Sequence, residues 1–147
     1  MTDRLDETRL FETYRGFVYP GDCDIMGHLP TFKYFEMFDA AAYHFLAHLG
    51  IRFDGGMATG MADVHQEIDY LSEIRAGALL LIRSGILKVG SSSIRSVHLM
   101  TDLEGSCEHA RLETVSVSFD LQARKAIPLP TDLRARAEAL IGAGMNG

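Results

Sequence analysis

An acid, a glycine and a histidine stand close together early in the chain: Asp24, Gly27 and His28, in the run Cys23-Asp24-Ile25-Met26-Gly27-His28-Leu29-Pro30. This run follows neither a strand period nor a helix period. An aspartate carboxylate is ionised at neutral pH and can attack an electrophile or draw a proton from water. Asp24 lies seven residues before Thr31, where a helical pattern begins. A helix N-terminus offers unpaired N–H groups and a partial positive charge, so a carbonyl held there finds donors for a developing oxyanion. The carboxylate also has a purely local alternative, capping a turn or the helix. Gly27 supplies positive φ or close backbone approach. His28 has three uses open: bonding a substrate carbonyl, orienting Asp24, or holding a backbone carbonyl.

Other reactive side chains read more simply. Asp22 is expected to be a turn aspartate. Cys23 sits between two acids, which oppose a thiolate, so a packed thiol is expected. His44 and His48 are four apart on one helix face, but no H-E-x-x-H and no third ligand accompany them, so packing is expected and no metal. Glu36 and Asp39 lie three apart on the same helix, with a solvated or interfacial role as the simpler reading. Gly90-Ser91-Ser92-Ser93 lacks phosphate-loop spacing and reads as a hairpin turn.

These residues need elements to hold them. Leu10 to Tyr19 reads as a first strand, stopped by Pro20-Gly21-Asp22. From Thr31, a candidate N-cap or first-turn residue, Phe35, Phe38, Ala42, Phe45 and Leu49 recur at helical spacing, and Gly50 ends the run. Apolar residues on other faces of this helix imply burial nearly all round. Gly55-Gly56 and Gly60 mark a flexible connection. Four strands are expected at about 62–71, 78–89, 94–103 and 110–121. The continuous Leu79-Leu80-Leu81-Ile82 suggests cover on both faces. In the last strand Val115, Val117, Phe119 and Leu121 alternate with Thr114, Ser116, Ser118 and Asp120, giving a buried apolar face and a wet polar one. A short helix is expected at 132–141, capped by Thr131 or Asp132, with a frayed end after it. One antiparallel sheet with one long helix on its face is an α+β architecture.

The 147 residues suit one domain, expected over 1–147 with its core at about 10–130. Lys and Arg number 14 against 20 Asp and Glu, a formal net charge of −6, which argues against a nucleic-acid surface and a polybasic membrane anchor. Two cysteines make no disulfide framework. The acidic N-terminus has no apolar core of a signal peptide, and the apolar stretch Ala40–Ile51 is too short to span a bilayer. A reduced, cytoplasmic, soluble protein is the expectation.

The run Asp24-Ile25-Met26-Gly27-His28-Leu29, with Tyr34 and Phe38-Asp39-Ala40-Ala41 behind it, resembles the D-x-x-G-H signature of hotdog-fold acyl-CoA thioesterases of the 4-hydroxybenzoyl-CoA type. The resemblance covers roughly Leu10 to Pro130 and takes in Ile68-Asp69-Tyr70-Leu71, Arg75-Ala76-Gly77 and Lys88-Val89-Gly90. The same run is similar to thioesterases acting on betainyl-CoA. The resemblance implies a hotdog fold, an antiparallel sheet wrapped round the long helix. It also implies acyl-CoA as substrate, no cofactor, and homodimers or homotetramers with sites between subunits. It assigns Asp24 as nucleophile or general base, with His28 and Thr31 beside it, the latter through the helix N-terminus. Gly27, Tyr34 and Phe35 are then substrate-binding. Pro30-Thr31 departs from the two asparagines that many relatives carry there, which keeps open a non-catalytic acyl-CoA or partner-binding module. Gly27-His28-Leu29-Pro30 resembles the G-H-x-P element of hotdog dehydratases, but those place a histidine where this chain has Asp24. Coenzyme A carries phosphates, for which Arg75, Arg83, Lys88, Arg95, Arg111, Arg124 and Lys125 are the available cations.

Overall fold

The computed structural model describes residues 4–5, 7–51 and 59–146. The Gly55-Gly56 connection lies outside them. The elements run β1 (Arg4–Leu5), β2 (Phe11–Phe17), α1 (Thr31–His48), β3 (Thr59–Tyr70), β4 (Leu79–Val89), β5 (Ser93–Thr101), β6 (Glu108–Asp120), β7 (Lys125–Ala126), α2 (Thr131–Gly144) and β8 (Met145–Asn146). One antiparallel sheet has the order β2-β4-β5-β6-β3, with β7 added on β6, and β1 pairs with β8 separately. This is the α+β hotdog arrangement expected from the sequence. The expected fraying after residue 141 is not found up to residue 146: α2 continues to Gly144 and β8 follows.

The helix α1 stops where its chemistry requires. Gly50 has φ of +83°, and its N–H bonds to the Ala47 carbonyl while the Ile51 N–H reaches Leu46. That pair of bonds satisfies the last carbonyls of the helix, and the left-handed residue favours glycine. The buried face of α1 is Tyr34, Met37, Phe38, Ala41 and Phe45, followed by Leu49. The expected stripe was rotated relative to this one: Phe35 is exposed and Ala42 half-buried. Burial all round is not found either, since Phe32 and Tyr43 are 65% and 52% exposed.

Two apolar clusters grip the helix. Its first half packs with Val18, Ile74, Leu80, Ile82, Met100 and Leu112. Its second half packs with Ile86, Ile94 and, from the C-terminal segment, Leu129, Leu133 and Ala137. Leu80, Leu81 and Ile82 are buried as a run, while Leu79 is exposed.

The middle of the sheet's helix side is polar. Thr13, Ser84, Ser96, His98, Thr114 and Ser118 are all buried. The expected faces of β6 are therefore reversed. Thr114 and Ser118 are buried, and Val115, Val117 and Phe119 are only half-buried. Alternation gives two faces but not their sign, and here small polar side chains leave room beneath α1. The edge strand β3 carries a bulge between Asp63 and His65. A bulge inserts one residue and switches which parity of residue faces the core. Asp63 before it and Gln66 after it consequently line the same cavity.

Candidate active site

The loop before α1 is built around Asp24. Its Oδ1 accepts the N–H of Met26 at 2.9 Å and of His28 at 3.2 Å. Its own N–H donates to the His28 carbonyl, and its carbonyl accepts from Gly27. Gly27 closes this turn at φ +81°, the conformation that favours glycine. One carboxylate oxygen thus does the turn's work. Among the described residues Oδ2 has no hydrogen-bond partner.

The loop is pinned to the β3–β4 connection. Leu29 N–H donates to the Ile74 carbonyl at 2.8 Å, and His28 and Arg75 form a β-bridge. Both Leu29 and Ile74 are buried, so water does not compete for that bond. The connection also supplies Glu73, which the sequence reading missed. Its Oε2 lies 2.8 Å from His28 Nε2, and its Oε1 accepts from the Arg75 guanidinium. No local pattern pairs residues 28 and 73; only the bridge brings them together.

A cavity of about 410 Å³ is lined by Asp24, His28, Thr31 and Tyr34 from this side and by Tyr70, Ser72 and Glu73 from the other. Thr31 is the first helical residue rather than the cap. Pro30 is the cap, and no side chain caps this end. Lys33 N–H donates to the Pro30 carbonyl at 3.0 Å, so in the first turn it is the Thr31 and Phe32 N–H groups that stand open to a ligand, and proline itself has none to satisfy. Tyr34 packs edge-on against Tyr70 at 5.0 Å between centroids. Burial, with Tyr70 and Glu73 nearby, raises the Tyr34 pKa above its ordinary value, so its hydroxyl stays protonated as a donor.

The structure thus brings Asp24, His28, Thr31 and Tyr34 to one cavity, with Gly27 in the loop that shapes it. Phe35 lies elsewhere, in a neighbouring groove along α1. Asp22 caps its own turn, accepting from Tyr19 N–H, and faces Lys33. Cys23 packs on the core. His48 packs against Phe11 with the rings tilted by 45°, and no group of metal-ligating side chains occurs among the described residues. Gly90 to Ser93 is a hairpin turn whose Gly90 and Ser91 carbonyls accept from Arg134. Of the candidate phosphate-binding cations, Arg75 adjoins the cavity through Glu73, whereas Arg83 pairs with Glu7 and both Arg95 and Arg111 with Glu113.

A family model described as the thioesterase-like superfamily matches residues 18–137. The chain belongs to that superfamily. Among thioesterase-like proteins it is 26% identical over 136 residues to a betainyl-CoA thioesterase of Pseudomonas aeruginosa, covering 90% of this chain and 85% of that one. It is 28% identical over 126 residues to an L-carnitine dehydrogenase/betainyl-CoA thioesterase of Agrobacterium fabrum. That match covers 85% of this chain and 25% of the relative, so the chain spans about a quarter of the Agrobacterium protein's length. The hotdog fold is shared with a Staphylococcus aureus protein solved in complex with CoA, at a TM-score of 0.82 and 15% identity, covering 97% of this chain and 87% of that one. No helix among the described residues is long and apolar enough to cross a membrane.

Proposed function

We propose that this thioesterase-like chain hydrolyses an acyl-CoA thioester, with Asp24 as the attacking or water-activating group. The observation that carries this reading is the half-engaged carboxylate. Asp24 Oδ1 is fixed by two backbone N–H groups, and Oδ2 stays available in a cavity that also holds the uncapped start of α1. A thioester carbonyl seated between them has a nucleophile on one side and N–H donors for its oxyanion on the other. Thiolate departs with little proton help, so one carboxylate suffices. Either Oδ2 adds to the carbonyl to give a mixed anhydride that water then opens, or Oδ2 takes a proton from an attacking water. His28, held through Nε2 by Glu73, keeps Nδ1 for the substrate. Arg75 at the cavity's edge is the cation offered to the coenzyme's phosphates.

The test is release of free thiol across aliphatic, aromatic and betainyl acyl-CoA esters. Turnover of at least one is expected; thermal stabilisation by these esters with no thiol released from any would favour the binding-module reading. Glu73→Gln keeps the size of the side chain but removes the charge facing His28. It should lower kcat roughly tenfold with KM little changed. An unaltered kcat would exclude Glu73 from positioning His28.

The twelve-residue edge strand β3, with Val64 60% exposed, supports assembly of two or four copies through this edge. Light scattering at the mass of one chain would remove that part of the reading.

A further inference from the structure

The wall of the Asp24 cavity formed by the β3–β4 connection carries a second reactive pair. Ser72, in that connection, lines the cavity. Its Oγ lies 2.9 Å from Nδ1 of His109, near the start of β6. A hydroxyl within hydrogen-bond reach of an imidazole is an arrangement that moves protons. Nothing local in the sequence pairs residues 72 and 109. The Leu71 and Ser72 N–H groups both donate to the His109 carbonyl, at 2.8 and 3.2 Å, and that brings the two side chains together. His109 is not among the residues lining the cavity, so any part it takes in the chemistry runs through Ser72.

Ser72 has more acceptors around it than hydrogens to give. Its Oγ carries one hydrogen. The Glu108 carbonyl, at 3.1 Å, can only accept it. His109 Nδ1 takes either role, according to its tautomer. With Nδ1 protonated, the ring donates to Oγ and the hydroxyl turns to Glu108. With Nδ1 bare, the hydroxyl donates to the ring. The Cys107 thiol, at 3.3 Å, is a weak donor to Oγ in both arrangements. The second arrangement leaves one lone pair of Oγ open to the cavity. Both use the same heavy-atom positions, so a proton passes between oxygen and nitrogen without a side-chain movement. Among the described residues His109 Nε2 has no hydrogen-bond or ion-pair partner, and the residue is only half-buried, which leaves the proton a route to solvent.

We propose that Ser72 and His109 form a proton relay for the hydrolytic water, with Ser72 as a catalytic hydroxyl and His109 as the residue that positions it and takes its proton. The proposal rests on the reading of hydrolysis at Asp24 and takes its nucleophilic form. Asp24 Oδ2 adds to the thioester carbonyl, the C–S bond breaks, and the coenzyme leaves as its thiolate. Water then attacks the acyl carbonyl of the mixed anhydride. Its proton passes to Ser72 Oγ while the Ser72 proton passes to His109 Nδ1. The bond to Asp24 breaks, the carboxylate is restored, and the imidazolium gives one proton to solvent.

A relay that serves only the second step has a kinetic signature that a structural anchor lacks. Slowing the breakdown of an acyl-enzyme lowers kcat and KM together and leaves kcat/KM unchanged. His109→Asn keeps a polar atom for Ser72 but no nitrogen that can hold the proton. His109→Asn and Ser72→Ala should each lower kcat about tenfold or more, with kcat/KM within roughly twofold of the unaltered protein. The substrates are the aliphatic, aromatic or betainyl acyl-CoA esters that the unaltered protein turns over. Rapid mixing of each variant with them should show a burst of thiol of about one equivalent per site, with free acid appearing later. Ser72→Thr, which regains a hydroxyl, should restore most of the kcat lost in Ser72→Ala. An unchanged kcat in either variant, or a kcat that falls together with kcat/KM and without a burst, overturns the relay and leaves hydrolysis at Asp24 standing. No thiol from the unaltered protein with any ester overturns both.

Discussion

Asp24→Asn is expected to lower thioester hydrolysis by at least roughly a hundredfold while the protein stays folded. Asparagine keeps the side-chain oxygen that accepts from Met26 and His28, so the turn persists. What it loses is the charge and the nucleophilic second oxygen. Asp24→Ala should be equally inactive but should also loosen the loop, because two backbone N–H groups lose their acceptor. The asparagine variant is therefore the sharper measurement. Thiol release near the unaltered rate, with an unchanged melting temperature, would remove Asp24 from the chemistry.

The second large effect is on stability and comes from His98. The ring is fully buried, with Phe45 edge-on at 5.5 Å between centroids. Its hydrogen bonds run one way. Thr13 Oγ1 donates to the Ile82 carbonyl, which leaves it to accept from Ser84 Oγ. Ser84 Oγ is then free to accept from His98 Nδ1–H, and Ser96 Oγ donates to Nε2. Every member is satisfied only with a neutral ring. A folded pKa of about 4 against 6.5 in the unfolded chain makes stability rise with pH between those values and stay level above them. About 3 kcal/mol should be lost from this residue as the pH falls from 6.5 through 4. Urea unfolding across that range measures it, and His98→Asn should abolish the slope. Asp102 and Asp120 do not confuse the window. Side-chain and backbone hydrogen bonds hold Asp102 low and backbone N–H groups hold Asp120 low, so their contributions disappear only at more acidic pH. A flat profile between pH 6.5 and 4 would contradict the neutral, buried state.

The local patterns carried much of this. Thr31 and Gly50 bracket α1 because a helical period and a left-handed stop are both visible in neighbouring residues. The Asp24 loop was legible for the same reason, since its hydrogen bonds lie within four residues. What neighbouring residues do not carry is which face of a strand is buried and which distant side chains meet. The alternation in β6 showed two faces, but the sign depended on a cavity that needs Thr114 and Ser116 rather than valines. Phe35 reads from the resemblance as substrate-binding; the turn of α1 places it in the groove that neighbours the Asp24 cavity. Glu73 was invisible, because its partner is a histidine on a distant loop.

The bond from Leu29 to Ile74 also bears on synthesis. It joins residues about 45 positions apart, so its closure carries an entropic cost that no local contact offsets. A nascent chain exposes Asp24 early, but the wall carrying Ser72 and Glu73 does not yet exist. The cavity closes only once the β3–β4 connection has emerged and β3 has found β6. The growing polypeptide therefore carries the Asp24 carboxylate before the cavity around it exists.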